Sequence, residues 1–434
     1  MTPGDHAPTA TPTLYQQRDA LRQGLGRAAQ WATAGSLGEG VLLAACLTDQ
    51  RFDHQVDAGR ADWLWGMVTV MGAAGRFREP LLDALRETPD GRSAHQLCGL
   101  AGHYAVSGDG EFCTQLYDIV RRKPVADSPS LGEDELLALD GEAGFLFAAG
   151  VRGRIVLDDP DASDDGDLIW AAGKYFGEDR VAELLATTDD DGVRRFRENL
   201  NTRRARRVRT SALPTVGKKL AATTADDILR EATGGGGQYL SRRWGRQAKP
   251  ADLRKVLSQI WDTPEPKPLA NLLAVFSDRA LPEFDARLLD LARHADGQVR
   301  RKAFDALGQN AHPRVRAFAL DELAKGVTDS AVFGLFARNF ECGDEQRLLD
   351  ALSLPDDADD RHTALMSLLE VADLNPAADA SQLGLTVYAL TPCGHYRCAA
   401  ATLLHQRGVA PDWLREECRH DADPQCRELA GRSC

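Results

Sequence analysis

The stretch that most constrains this chain runs from residue 285 to 325, DARLLDLARHADGQVRRKAFDALGQNAHPRVRAFALDELAK. Asp296-Gly297-Gln298-Val299-Arg300 is echoed by Ala311-His312-Pro313-Arg314-Val315-Arg316. Each Val-Arg is followed by apolar positions at helical spacing. These are Ala303, Phe304, Ala306 and Leu307 in the first copy, and Ala317, Phe318, Leu320 and Leu323 in the second. The pattern predicts short amphipathic helices joined by tight turns. Such helices have one apolar stripe each and hide it only by stacking on neighbours.

A turn of this kind, opening a helix with Val-Arg, resembles the second helix of a HEAT repeat. The resemblance is clearest over 285–325 and weaker over 250–434, where Asp423, Pro424 and Arg427 repeat its flavour. It implies an all-α fold, an α-solenoid of HEAT-like helical hairpins. It also implies a concave surface offered to a partner. A DNA-glycosylase type is built on the same fold with a catalytic carboxylate and aromatics in a basic groove. A bilin-lyase type also exists. No residue of this sequence matches those catalytic positions, so none is carried over.

The rest of the sequence is consistent with helices throughout. With 434 residues the chain exceeds one ordinary core, and 43% hydrophobic and 27% charged residues are those of a globular protein. Aromatics are scarce, Ala and Leu are abundant, and no segment alternates with period two, so no sheet is expected. Residues 1–13, rich in Pro and Thr, read as a disordered tail. Residues 14–193 read as an N-terminal helical region, 194–249 as a basic, Gly-rich connecting segment, and 250–434 as the HEAT-like region. The longest apolar stretch, Trp63 to Gly75, is well short of the roughly 20 residues that span a bilayer. The N-terminus lacks the pattern of an export signal, and the cysteines read as reduced thiols. A cytoplasmic location without membrane contact is therefore expected.

Charge singles out one segment. The formal net charge is −13, which argues against a generally nucleic-acid-binding surface. Yet Arg194, Arg195, Arg197, Arg203, Arg204, Arg206, Arg207, Arg209, Lys218 and Lys219 face a single acid, Glu198, between 194 and 219. Arg242, Arg243, Trp244 and Arg246 follow, with Tyr239 nearby. Clustered guanidinium groups with aromatics suit phosphates and stacked bases. They equally suit an acidic protein segment, or this chain's own Asp158–Asp167 and Asp189–Asp191. A protein partner is the favoured reading and nucleic acid the alternative. Arg300 and Arg316 read as structural braces along the stack.

Other chemistry is thin. No nucleophile elbow, HExxH pair or dinucleotide fingerprint occurs, and no catalytic residue or cofactor is assigned. The run ending Gly217-Lys218-Lys219 lacks both the first Gly (Ala212) and the Ser/Thr of a phosphate loop. Asp161, Ser163, Asp165 and Gly166 imitate a calcium loop, but its final Glu is Ala172. Cys393-Gly394-His395 and Cys418-Arg419-His420 share a spacing that zinc accepts, with Cys398, Cys426, Cys434 and His405 close by. No Cys-x-x-Cys occurs, and these thiols also fit apolar helix faces, so no metal is assigned.

Overall fold

The computed structural model describes residues 7–52, 59–87, 93–122, 130–158, 167–211, 220, 222–234, 238–327, 329–354 and 356–431. All regular structure among them is helical, as the absence of period-two patterning requires. The chain forms two compact units. One comprises Pro8–Leu213 with Arg415–Ser433, and the other Pro214–Leu414 with Met1–Ala7 and Cys434. The division thus falls inside the basic segment, between 213 and 214. The helices Ala225–Thr233 and Gln238–Gln247 belong wholly to the second unit.

In the first unit the helices open on recognisable signals. Thr13 caps Leu14–Gln23 by accepting from Gln16 N, while the Gln16 side chain accepts from Thr13 N, which satisfies two end donors at once. Gly24, at φ 77°, ends that helix in the left-handed region open to glycine. Gly26–Thr33 then runs against the C-terminal segment, and a Cβ on Gly26 would sit 1.9 Å from the Glu417 carbonyl oxygen. Glycine there is a requirement of close backbone approach. The Ala422 amide donates to the Gly24 carbonyl at 3.0 Å, and the Trp63 indole N–H donates to His420 O at 2.8 Å.

A second close approach positions the basic helix. Glu142–Asp158 and Asp191–Ser211 meet through glycines: a Cβ on Gly150 would approach Asp190, one on Gly192 the Gly150 carbonyl, and one on Gly153 the Gly192 carbonyl and Phe196 N. These pairings step forward together, so the two helices run side by side in the same sense. Val193 and Phe196 are buried at this seam. Beneath it, Arg152 and Glu133 form a buried two-pronged ion pair at 2.7 and 2.6 Å.

The second unit contains the repeat. Arg287–Leu291, Gly297–Gly308 and Pro313–Ala324 are helical, with Asp296 accepting from Gln298 N and Val299 N, and His312 accepting from Arg314 N. Val299 and Val315 are fully buried at the helix starts. Arg300 donates to the His294 carbonyl, and Arg316 to the Asn339 carbonyl and to the buried Asp344. The structural role read for these two arginines therefore has direct partners. Two segments run as 3-10 turns, Ala274–Phe276 and Ser330–Phe336.

A ladder of asparagines in this unit is not foreshadowed by the repeat pattern. Asn310, Asn339 and Asn375 each follow a helical segment and donate from Nδ2 to the carbonyl four residues back, Ala306, Leu335 and Val371. Each also reaches across to a neighbouring segment. Asn310 accepts from Leu281 N at 3.1 Å. Asn339 accepts from His312 N at 2.8 Å and donates to Asn310 O at 3.0 Å. Asn375 donates to Ala337 O at 2.9 Å. Each side chain therefore closes one helix end and fastens it to the next turn, satisfying carbonyls that the helix leaves open.

Candidate functional site

The basic residues singled out by charge fall on two helices that belong to different units. Arg194, Arg195, Arg197, Arg203, Arg204, Arg206, Arg207 and Arg209 lie on Asp191–Ser211 in the first unit. Arg242, Arg243, Trp244 and Arg246 lie on Gln238–Gln247 in the second. Lys218 and Lys219 fall outside the described residues, as do most of the Asp158–Asp167 acidic stretch and the discarded phosphate-loop run.

The first turns of the Arg helix hold their cations locally. Arg194 pairs with Asp191, and Arg195 pairs with Glu198 at 3.2 Å, both on the exposed face. Such pairs contribute little in water. Arg197 is used differently. Its guanidinium donates to the Leu185 and Ala186 carbonyls at 2.9 and 3.2 Å, closing the end of Glu178–Thr187. It braces the fold. Beyond this point the helix continues as Asn199–Ser211, which contains Arg203, Arg204, Arg206, Arg207 and Arg209 and no acid.

In the second unit the cluster is largely spoken for. Arg242 and Arg246 converge on Asp278, with contacts of 2.6 Å, and both guanidinium groups hold its carboxyl below the usual carboxylate range, the Arg242 hydrogen bond foremost. Arg243 lies over the exposed Tyr239 ring, 5.5 Å from its centroid. Trp244 is only 3% exposed, and its indole N–H donates to Thr223 O at 2.9 Å. It is a packing residue and presents no face to a base.

The C-terminal thiols are divided between the two units. Cys393 and Cys398 are buried in the second unit, and Cys418 and Cys426 in the first. His395 and His420 are exposed, so each Cys-x-His pair directs its thiol inward and its imidazole outward. Neither pair presents two ligands to one point. Cys434 lies outside the described residues.

A different constellation occurs in the first unit on Arg60–Val70, Ala94–Val106 and Glu133–Asp140. Asp62 Oδ1 and His103 Nε2 are 2.8 Å apart, and the Trp65 ring lies parallel to the imidazole with centroids 5.3 Å apart. Glu135 is half-buried against the glycine face of Gly99 and Gly102, and loss of solvent pushes its carboxyl up to about 7. On the other side of Asp62 an open groove of about 340 Å³ lies between Gly26–Thr33, Arg60–Val70 and the 420–427 segment. Trp63, Met67 and Val70 line it with Asp62, His420 and Arg427. The sequence shows no motif here, because the partners are far apart in the chain.

These features define a class no finer than a helical protein. Among the described residues no helix is long and apolar enough to cross a membrane. Compared with known protein families, with curated proteins and with solved structures, the chain matches none.

Proposed function

We propose that the chain is a non-enzymatic scaffold of HEAT-like hairpins that docks an acidic protein segment along Asn199–Ser211. One observation carries the reading. A helix anchored through Gly192, Val193 and Phe196 continues past Glu198 into five arginines with no acid among them. Like charges so spaced oppose the helix that bears them, and an anionic partner removes that opposition. The HEAT-like reading draws support from the buried Val299 and Val315 behind capped turns and from the Arg300 and Arg316 braces.

The test is fluorescence anisotropy of the full chain with a labelled Asp/Glu-rich peptide and with a single-stranded oligonucleotide of equal charge. Binding of the peptide that vanishes when Arg203, Arg204, Arg206 and Arg207 are reversed to Glu, with an unchanged melt, supports the docking role. Tighter oligonucleotide binding with a steep salt dependence transfers the site to nucleic acid. A lower melt with no change in either affinity makes the helix an internal brace and ends the proposal.

A further inference from the structure

The groove beside Asp62 holds two opposite charges that do not meet. Asp62 uses Oδ1 toward His103, and among the described residues its Oδ2 has no hydrogen-bond partner. Arg427 spends Nη1 on the Asp421 and Ala422 carbonyls, at 2.6 and 2.9 Å, and among the described residues its Nη2 has no partner either. The carbonyl bonds fix the guanidinium on the segment that follows the buried Asp421. The two groups form no ion pair with each other, yet they sense one another. The carboxyl of Asp62 is held below the usual carboxylate range, first by the His103 hydrogen bond and, to a smaller degree, by the Arg427 charge.

Much of the rest of the groove's lining is small or apolar, and it has room. Gly66 contributes no side chain, Ala29 only a methyl, and Met67 and Val70 supply flexible and branched hydrocarbon. Val70 is 59% exposed, a large apolar side chain left facing water at the groove. A volume of about 340 Å³ lies at the small end of ordinary ligand sites.

We propose that this groove binds a zwitterionic α-amino acid with a medium-sized apolar side chain, its ammonium on Asp62 and its carboxylate on Arg427. A carboxylate oxygen and a guanidinium nitrogen lining the same groove, close enough to sense one another, can answer both charges that such a ligand carries on one carbon. A molecule with one charge would leave the other end unanswered, and so would bind more weakly. The His103 contact occupies one oxygen of the Asp62 carboxylate and leaves the second without a partner among the described residues.

The test is calorimetric titration of the full chain with L-leucine, alongside isovalerate and isoamylamine, which keep the same hydrocarbon and one charge each. Saturable one-to-one binding of L-leucine is expected, with each single-charge analogue weaker by about tenfold or more. Asp62→Asn, at an exposed side chain, and Ala29→Leu, which fills the floor, should each weaken L-leucine by a similar factor. Asp62→Asn keeps the shape of the residue and serves as the check should Ala29→Leu disturb folding, which circular dichroism reads directly. No saturable heat with L-leucine overturns the proposal. So does equal affinity for either analogue, or binding that Asp62→Asn leaves unchanged.

Discussion

Arg27 grips Glu417 across 390 residues of sequence, with Nε and Nη2 each 2.8 Å from a carboxylate oxygen. The Glu417 side chain is fully buried and that of Arg27 nearly so. An exposed pair of this kind would contribute little, but here each charge has been taken out of water and depends on the other.

Removing one partner should therefore cost far more than removing both. Arg27→Ala strands a buried carboxylate and is expected to destabilise the first unit by about 3–5 kcal/mol. Arg27→Met with Glu417→Leu should recover most of that loss. Denaturant melts of the two variants check this, and equal losses would show that the pair is not a coupled unit.

The asparagine ladder makes a second prediction. Asn339 satisfies the His312 amide and the Asn310 and Leu335 carbonyls at once. Asn339→Ala leaves three polar groups without that side chain, and a loss of about 2–3 kcal/mol is expected. Hydrogen exchange should show faster opening at His312 N than in wild type. An unchanged rate there would mean that water replaces the side chain without penalty.

A third prediction concerns pH. The Glu135 carboxyl sits at about 7 in the folded chain against an ordinary 4.5, burial being the main cause. The folded form thus holds the proton more tightly than the unfolded form. Its contribution is fully present below about pH 4.5 and lost as pH rises through about 7. Because the residue is half-buried, roughly 1–2 kcal/mol is at stake after allowance for screening by water. Glu135→Gln should flatten the difference in melting temperature between pH 5 and pH 8. An identical pH profile in that variant would rule Glu135 out as its source.

Helical class was legible because periodicity and turn residues are local signals. Val299 and Val315, which open the two echoed helices, are both buried. The basic segment was legible as composition, but its use was not. Arg197 as a helix-end brace, Arg242 and Arg246 on Asp278, and Trp244 in the core all depend on partners 11 to 36 residues away. Asn310, Asn339 and Asn375 carry a faint signal, one asparagine after each helical segment. The Asp62 groove carries none, since it draws Arg427 to a helix more than 350 residues earlier in the chain.

The grip of Arg27 on Glu417 also bears on how the protein is made. At about 5–20 residues per second, the partner of Arg27 is synthesised on the order of half a minute after Arg27 itself. Throughout that interval the helices from Leu14 onward have emerged without the segment that covers Gly26 and receives the Trp63 indole. The unit whose helices are made first is thus the last to be completed. A ribosome stalled anywhere shortly before Glu417 would hold a nascent chain whose second unit lacks almost nothing and whose first unit still waits for its closing strap.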